Sequence, residues 1–309
     1  MKWIKQGRIF AADGSKWWAR SYALIPTVDL ISDAVLRIYF AALDEDKIGR
    51  IGYIDVAAEN PKRILYESEK PVLDIGDLGT FDDSGVNPSC IITVAGMKYL
   101  YYIGWQRCER TPHMLFTGLA TSNDGCCFQK YADIPVLDRE PNDKFLRSAP
   151  TVLYDGTSFI VWYVSGLEWT TINDKPYPKY VIRFACSSDG IHWTSNNHIC
   201  INFQNEQEFG FGRPWVIKDG HQYKMWYSIR TIPSPSDFVP DYQIGYAESD
   251  NGIDWLRKDD EAGITASDSG WDSEMVCYPC VVDAAGKRYL FYNGNRHGST
   301  GFGYAVLDA

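Results

Sequence analysis

Ser187-Ser-Asp-Gly-Ile-His-Trp193 and Ser249-Asp-Asn-Gly-Ile-Asp-Trp255 share one pattern, and Thr121-Ser-Asn-Asp-Gly-Cys-Cys-Phe128 carries it a third time. The aromatic ends step by 65 and then 62 residues. Asp-Gly or Asn-Gly between apolar runs is a strong hairpin signal, because both turn residues need positive φ. A second landmark keeps the same step. Proline sits inside an apolar run at Pro26, Pro88, Pro150, Pro214 and Pro279, at intervals of 62, 62, 64 and 65 residues. An aromatic strand follows most of these prolines: Tyr99-Leu-Tyr-Tyr102, Phe159-Ile-Val-Trp-Tyr163, Tyr223-Lys-Met-Trp-Tyr227 and Tyr289-Leu-Phe-Tyr292, with Ile38-Tyr-Phe40 as a shorter first copy. A loop and a third strand come next, such as Ile182-Arg-Phe-Ala185 or Ile244-Gly-Tyr-Ala247. Each unit therefore reads as a strand with proline, an aromatic strand, a third strand, the turn, and an outer strand with tryptophan. Four antiparallel strands per repeat make a propeller blade.

Five prolines predict an all-β, five-bladed β-propeller spanning residues 1–309 as a single domain. Proline cannot donate to a strand ladder, and an innermost strand bordering a channel leaves it a free edge. The last copy stops at Gly301-Phe-Gly-Tyr-Ala-Val306 without an outer strand, while Lys2-Trp-Ile4 precedes any first strand. Trp3 is therefore expected to supply the missing outer strand and close the last blade, which removes open edges.

Composition narrows the function. Aromatic residues make up 15% of the chain, too many for disorder. The net charge of −10 repels phosphate backbones and argues against a nucleic-acid partner. Apolar runs are strand-length, short of a membrane span, and the basic N-terminus lacks a signal-peptide core, so a cytoplasmic protein without a membrane partner is expected. Eight cysteines are expected to stay reduced there. Cys277-Tyr-Pro-Cys280 reads as buried thiols in a strand rather than a redox or metal pair. The five histidines show no paired ligand spacing, so neither a metal nor another cofactor is expected.

A propeller gathers the starts of its inner strands around an axial well, the natural ligand site. Side chains alternate along a strand, so parity relative to each proline selects those sharing one face. This parity collects Asp83, Asn87, Arg147, Arg213, Glu274 and Tyr278. Asp83 and Glu274, from non-neighbouring blades, are the expected catalytic pair facing each other across the well, with Asp82 in reserve because a β-bulge would swap the parity, and Asp272 as a second reserve. Asn87, Arg147, Arg213 and Tyr278 are expected to bind substrate. Loops after the aromatic strands add a rim of Trp105, Arg107, His113, Glu168, Trp169, Arg230, Asn295, Arg296 and His297. Tryptophan faces and arginine forks suit a polyhydroxylated ligand. Two carboxyls flanking a sugar are the minimum machinery for glycosidic cleavage, and separation across a well favours inversion.

The repeat, the Ser-Asp-Gly-x-x-Trp turns and the acidic residues near the inner-strand starts resemble the five-bladed glycoside hydrolase superfamily, with families 43, 32 and 130. The resemblance covers nearly the whole chain. It implies acid/base chemistry on a glycosidic bond, without a redox cofactor. The chain departs from the family in its motifs. Ser-Tyr-Ala-Leu-Ile-Pro26 lacks the first-blade aspartate of arabinanase-type members, and Phe-Gly-Arg213-Pro214 carries arginine where a Glu-Gly-Pro-like turn is usual. The invertase-type Trp-Met-Asn-Asp-Pro is absent. Catalytic residues are therefore not transferable by position, and Asp83 and Glu274 rest on parity.

Two arginines in the well point to an anionic carbohydrate or a sugar phosphate. The leading expectation is a glycoside hydrolase. The alternatives are a phosphorylase or glycosyl transferase using Arg-bound phosphate, and a non-catalytic glycan-binding propeller.

Overall fold

A computed structural model describes residues 1–172, 174–232 and 242–308. The described chain is built from strands, with only short helical turns at Asp259–Glu261 and Asn295–Gly298. One sheet runs Ser21–Ser32, Val35–Leu43, Gly49–Ala57 and Asn60–Glu67; another runs Glu208–Asp219, Gln222–Thr231, Tyr242–Ser249 and Leu256–Arg257. An eight-stranded sheet holds two antiparallel runs, Val86–Val94 to Gln129–Lys130 and Arg147–Tyr154 to Ile199–Ile201. A single parallel bridge, Arg147 to Phe116, joins them. The last sheet orders Cys277–Ala284, Lys287–Asn293 and Phe302–Leu307, then takes Trp3–Phe10 from the other end of the chain as its outer strand. The proline-bearing strands lie beside one another in chain order, and Cys277–Ala284 returns to pack on Ser21–Ser32. This is a propeller-like, all-β architecture.

Edge-on aromatic contacts recur between successive repeats. Phe128 meets Tyr39 at 5.7 Å, Trp193 meets Tyr101 at 6.2 Å, Trp255 meets Trp162 at 6.1 Å, and Trp3 meets Trp226 at 6.2 Å. Edge-to-face geometry is the favourable arrangement for ring quadrupoles. Each Asx-Gly turn adds a hydrogen bond to the same aromatic: Tyr39 donates to the Gly125 carbonyl at 2.8 Å, Tyr101 to that of Gly190 at 2.9 Å, and Trp162 to that of Gly252 at 2.7 Å. The turn motif that announces the fold thus also fastens one repeat to the one before it.

A second clasp ties each aromatic strand to a connecting loop. Tyr102 donates to Asp82 at 2.8 Å, Tyr163 to Asp143 at 3.0 Å, Tyr227 to Asp259 at 2.6 Å and Tyr292 to Asp272 at 2.9 Å. The first repeat has Phe40 in this place, and it stacks on Trp18 and Phe10 instead.

The inner strands break register at their prolines. Irregularities fall between Leu24 and Thr27, Pro88 and Cys90, Ser148 and Thr151, Gly212 and Trp215, and Cys277 and Cys280. A bulge resets the alternation of side chains, so the faces before and after each proline do not continue one another. Cys277 and Cys280 are fully buried, and burial raises both thiols, Cys280 to about 12.

Candidate functional site

A cavity of about 340 Å3 opens among the starts of the inner strands. Trp105, Tyr180, Tyr242 and Tyr278 give it aromatic walls, and Asn87, His113, Arg230 and His297 give it polar ones. None of the described residues lining it is an aspartate or glutamate. An outer cavity of about 530 Å3 shares His113, Arg230, Tyr242 and His297, and adds Glu109, Arg110 and Tyr177.

Arg230 is the cation that the two cavities share. Its guanidinium lies 4.1 Å from the Phe209 ring centre and 4.5 Å from that of Tyr180. Nη2 donates to the Pro178 carbonyl, while the buried Nε finds no acceptor among the described residues. Burial, followed by the Arg230 charge, holds both His113 and His297 down at about 4. Both imidazoles are therefore neutral near pH 7. His113 is framed by Trp105 at 4.9 Å and Trp169 at 6.0 Å, and His297 meets Tyr242 edge-on at 4.8 Å.

Backbone strain gathers here. Tyr22, Ile25, Ala149, Tyr278 and His297 all line the cavity with φ between 51° and 64°. Ile25, Ala149 and Tyr278 directly precede the prolines of their strands. Such conformations cost on the order of 1–3 kcal/mol each and concentrate where a site over-determines them. A β-branched Ile25 at φ 55° is a pronounced outlier.

The sequence-derived residues fall into three groups. Asn87, Trp105, His113, Arg213, Arg230, Tyr278 and His297 line the inner cavity. Trp105, Arg107, His113, Glu168, Trp169 and Arg230 lie on strands rather than in loops, because Met97–Arg107, His113–Ser122, Phe159–Ile172 and Gln222–Thr231 run out to the mouth. Arg296 and Glu274 are exposed, 3.9 Å apart, and Glu168 pairs with Lys179 at 2.7 Å. Neither Asp83 nor Glu274 lines the inner cavity. Asp83 accepts from the Gly79 amide at 2.9 Å and the Ser84 hydroxyl at 2.7 Å, which occupies its carboxylate within its own loop. Both carboxylates precede their strands, which begin at Val86 and Cys277, so strand alternation does not reach them.

The remaining charges serve the fold's own contacts. Asp82 and Asp272 are buried in the tyrosine clasps, with Lys130 at 2.6 Å and Lys5 at 2.7 Å as respective ion partners. Arg147 is buried against Asp143, Glu140 and the Tyr163 phenol. Arg213 is 1% exposed and donates to the carbonyls of Pro26, Ser89, Tyr278 and Pro279 and to the Thr27 hydroxyl, at 2.8–3.2 Å. All five acceptors are neutral, and burial lowers this guanidinium to about 10.

Tyr180, Tyr242 and Glu109 escaped the sequence reading. The two tyrosines were legible, since each stands two residues before the isoleucine that marks a third strand, Ile182 and Ile244. Glu109 carries no such mark.

No protein-family model matches the chain. It is 35% identical to the uncharacterized protein Rv1502 of Mycobacterium tuberculosis over 308 residues, covering all of both chains. It is 29% identical to the 1,2-beta-oligomannan phosphorylase of a Thermoanaerobacter species over 155 residues, 48% of each chain. Among solved structures, one from the GH130 family of mannoside phosphorylases and glycoside hydrolases overlays with a TM-score of 0.73 at 16% identity, covering 99% of this chain and 93% of that one. A thermostable family-43 glycoside hydrolase overlays with a TM-score of 0.68 at 17% identity, covering 93% and 88%. The fold is that of the glycoside hydrolase propellers at a wide sequence distance, and the chain belongs to the same family as Rv1502.

Proposed function

We propose that the protein is a carbohydrate-active enzyme that cleaves a glycosidic bond by phosphorolysis, with the reacting anion held at the mouth of the axial cavity. The observation that carries this reading is Arg230, whose Nε has no acceptor among the described residues, standing among His113, His297 and Tyr242 in a cavity whose described lining holds no carboxylate. Hydrolysis by a carboxylate pair needs two such groups flanking the bond. Phosphorolysis needs one: an acid protonates the leaving oxygen, the C–O bond breaks, and a phosphate oxygen bonds to the anomeric carbon, giving a sugar 1-phosphate. One such displacement inverts the centre. Guanidinium and neutral imidazole donors suit a phosphate. The proton donor is one of two carboxyls near this site: Glu109, which lines the outer cavity, or Glu274, which lines an adjoining one that shares Tyr242. The same reading takes the chain as one domain of five blades, supported by the unbroken circle of inner strands.

The similarity to an oligomannan phosphorylase supports this choice over hydrolysis. The test is incubation with inorganic phosphate and an oligosaccharide panel, neutral and acidic, with sugar 1-phosphate as the readout. Phosphate-dependent product that disappears in Arg230→Met, and in one of Glu109→Gln or Glu274→Gln, is expected. Equal sugar release without phosphate would reject the reading. A second reading, a non-catalytic glycan-binding propeller, is favoured by the engagement of Asp83 in its own loop. It predicts saccharide binding that survives both glutamate substitutions, with no turnover.

A further inference from the structure

We propose that Cys126 and Cys127 form a redox-sensitive dithiol that peroxide converts reversibly into a disulfide within the pair. The internal repeat supplies the comparison. The two other turns carry Ile191-His192 and Ile253-Asp254 at these positions. There the isoleucines pack against the apolar core. His192 bonds the turn's own Asp189 at 2.7 Å, and Asp254 accepts from Asn251 at 3.0 Å. The hairpin is already closed without help from thiols, since Ser122 and Asp124 make the same turn bonds as Ser187 and Asp189. Both cysteines are exposed and free.

What replaces the isoleucine contact is a cation from the neighbouring sheet. Arg37 forks its Nε and Nη2 onto Asp55 at 2.8 and 2.9 Å. Its remaining nitrogen, Nη1, donates to the Cys126 sulfur at 3.0 Å and to the Asp124 carbonyl at 3.2 Å. The Tyr53 hydroxyl reaches the same sulfur at 3.5 Å, beneath the guanidinium that lies 3.9 Å from its ring centre. A cationic N–H and a phenol thus aim at one exposed sulfur, the electropositive, accessible setting in which reactive cysteines sit. Cys186 offers the contrast: it too is exposed, but burial of its sulfur pushes that thiol up.

The chemistry balances with hydrogen peroxide as oxidant. The Cys126 sulfur attacks one peroxide oxygen; the S–O bond forms, the O–O bond breaks, and hydroxide leaves as water. The Cys127 sulfur then attacks the sulfenic sulfur, the S–S bond forms, the S–O bond breaks, and a second water departs. Two electrons pass from the thiols to the peroxide. Adjacent α-carbons lie about 3.8 Å apart, below the roughly 4.4–6.8 Å of a relaxed disulfide. The product is therefore strained and readily reduced, the property of a regulatory bond.

The test uses the intact, reduced protein. Limiting iodoacetamide followed by peptide mass spectrometry should show Cys126 reacting about fivefold or more faster than Cys186, and faster than Cys126 itself in urea at the same pH. Peroxide should yield a peptide about 2 Da lighter that a thiol restores. In Cys127→Ser the reaction should stop at a sulfenic acid captured by a cyclic 1,3-diketone. Arg37→Lys should keep much of the rate and Arg37→Met should lower it to that of Cys186. Because Arg37→Met strips Asp55 of its fork, the folded-against-urea comparison in the unaltered protein stands independently. Equal rates there, or peroxide treatment that leaves the pair unlinked, overturns the proposal.

Discussion

The indole of Trp3 meets that of Trp226 edge-on at 6.2 Å, with 72° between the ring planes. Trp193 makes the same contact with Tyr101, and Trp255 with Trp162. A residue at the start of the chain thus performs the task that an outer-strand tryptophan performs within each repeat. The N-terminal strand that carries it pairs with Phe302–Leu307.

Trp3→Ala should cost about 3–5 kcal/mol, the range for emptying a buried aromatic site. Trp255→Ala, at a more exposed ring, should cost less. Urea unfolding of the two variants compares them directly; a Trp3→Ala loss below about 1 kcal/mol would detach the N-terminal strand from any closing role.

Tyr292→Phe removes one donor from the buried Asp272 and leaves Lys5 in place. The expected loss is about 1–2 kcal/mol, as for a hydrogen bond to a charged group. Tyr102→Phe should behave alike at Asp82, which keeps Lys130. Phosphorolysis should survive both substitutions. If either abolished turnover while the protein stayed folded, the aspartates would belong to the reaction and not to the clasps.

Arg213→Met should be among the most damaging single substitutions, by about 3–5 kcal/mol. It strands four buried carbonyls and the Thr27 hydroxyl at once, and each unsatisfied group costs about 1–3 kcal/mol before relaxation. Arg213→Lys should recover only part, because an ammonium cannot span the same fork. Thermal melts of the pair provide the check, and a melting temperature unchanged in Arg213→Met would contradict this role.

His113 and His297 titrate at about 4 in the folded protein, below the ordinary 6.5. Between those values the unfolded chain binds more protons, so their contribution is present above pH 6.5 and is lost as pH falls toward 4. The loss is on the order of 3 kcal/mol for the pair after allowing for partial exposure. Urea unfolding at pH 7, 5.5 and 4.5 should show it, and a His113→Gln/His297→Gln double variant should flatten the profile. Parallel slopes for the two proteins would count against neutral, buried imidazoles.

Much of this fold was legible in the chain, because turns and strand periods are local. Asx-Gly requires positive φ wherever it occurs, an apolar run with aromatic residues suits a half-buried strand, and repetition shows that these units pack on copies of themselves. The site was less legible. Asn87, Trp105, Arg230 and Tyr278 line the inner cavity because they stand near strand ends that share one mouth, and His297 reaches it from the turn after Asn293. Asp83 and Glu274 were not brought into the inner cavity, because both lie ahead of the strands whose alternation was used to aim them.

The sequence alone determined the strand repeat, its tryptophans and the need for an outer strand from the N-terminus. Tertiary structure alone decided which charges are available for chemistry. Arg213 and Arg230 are the same residue type near the same cavity, yet Arg213 spends both terminal nitrogens on five acceptors, including carbonyls 187 and 124 positions away at Pro26 and Ser89. Arg230 donates to one carbonyl among the described residues, that of Pro178, and it lines both the inner and the outer cavity. Bulges at the prolines turn the side chains, and partners remote in the chain consume the donors. Neither effect is encoded in any local window of residues.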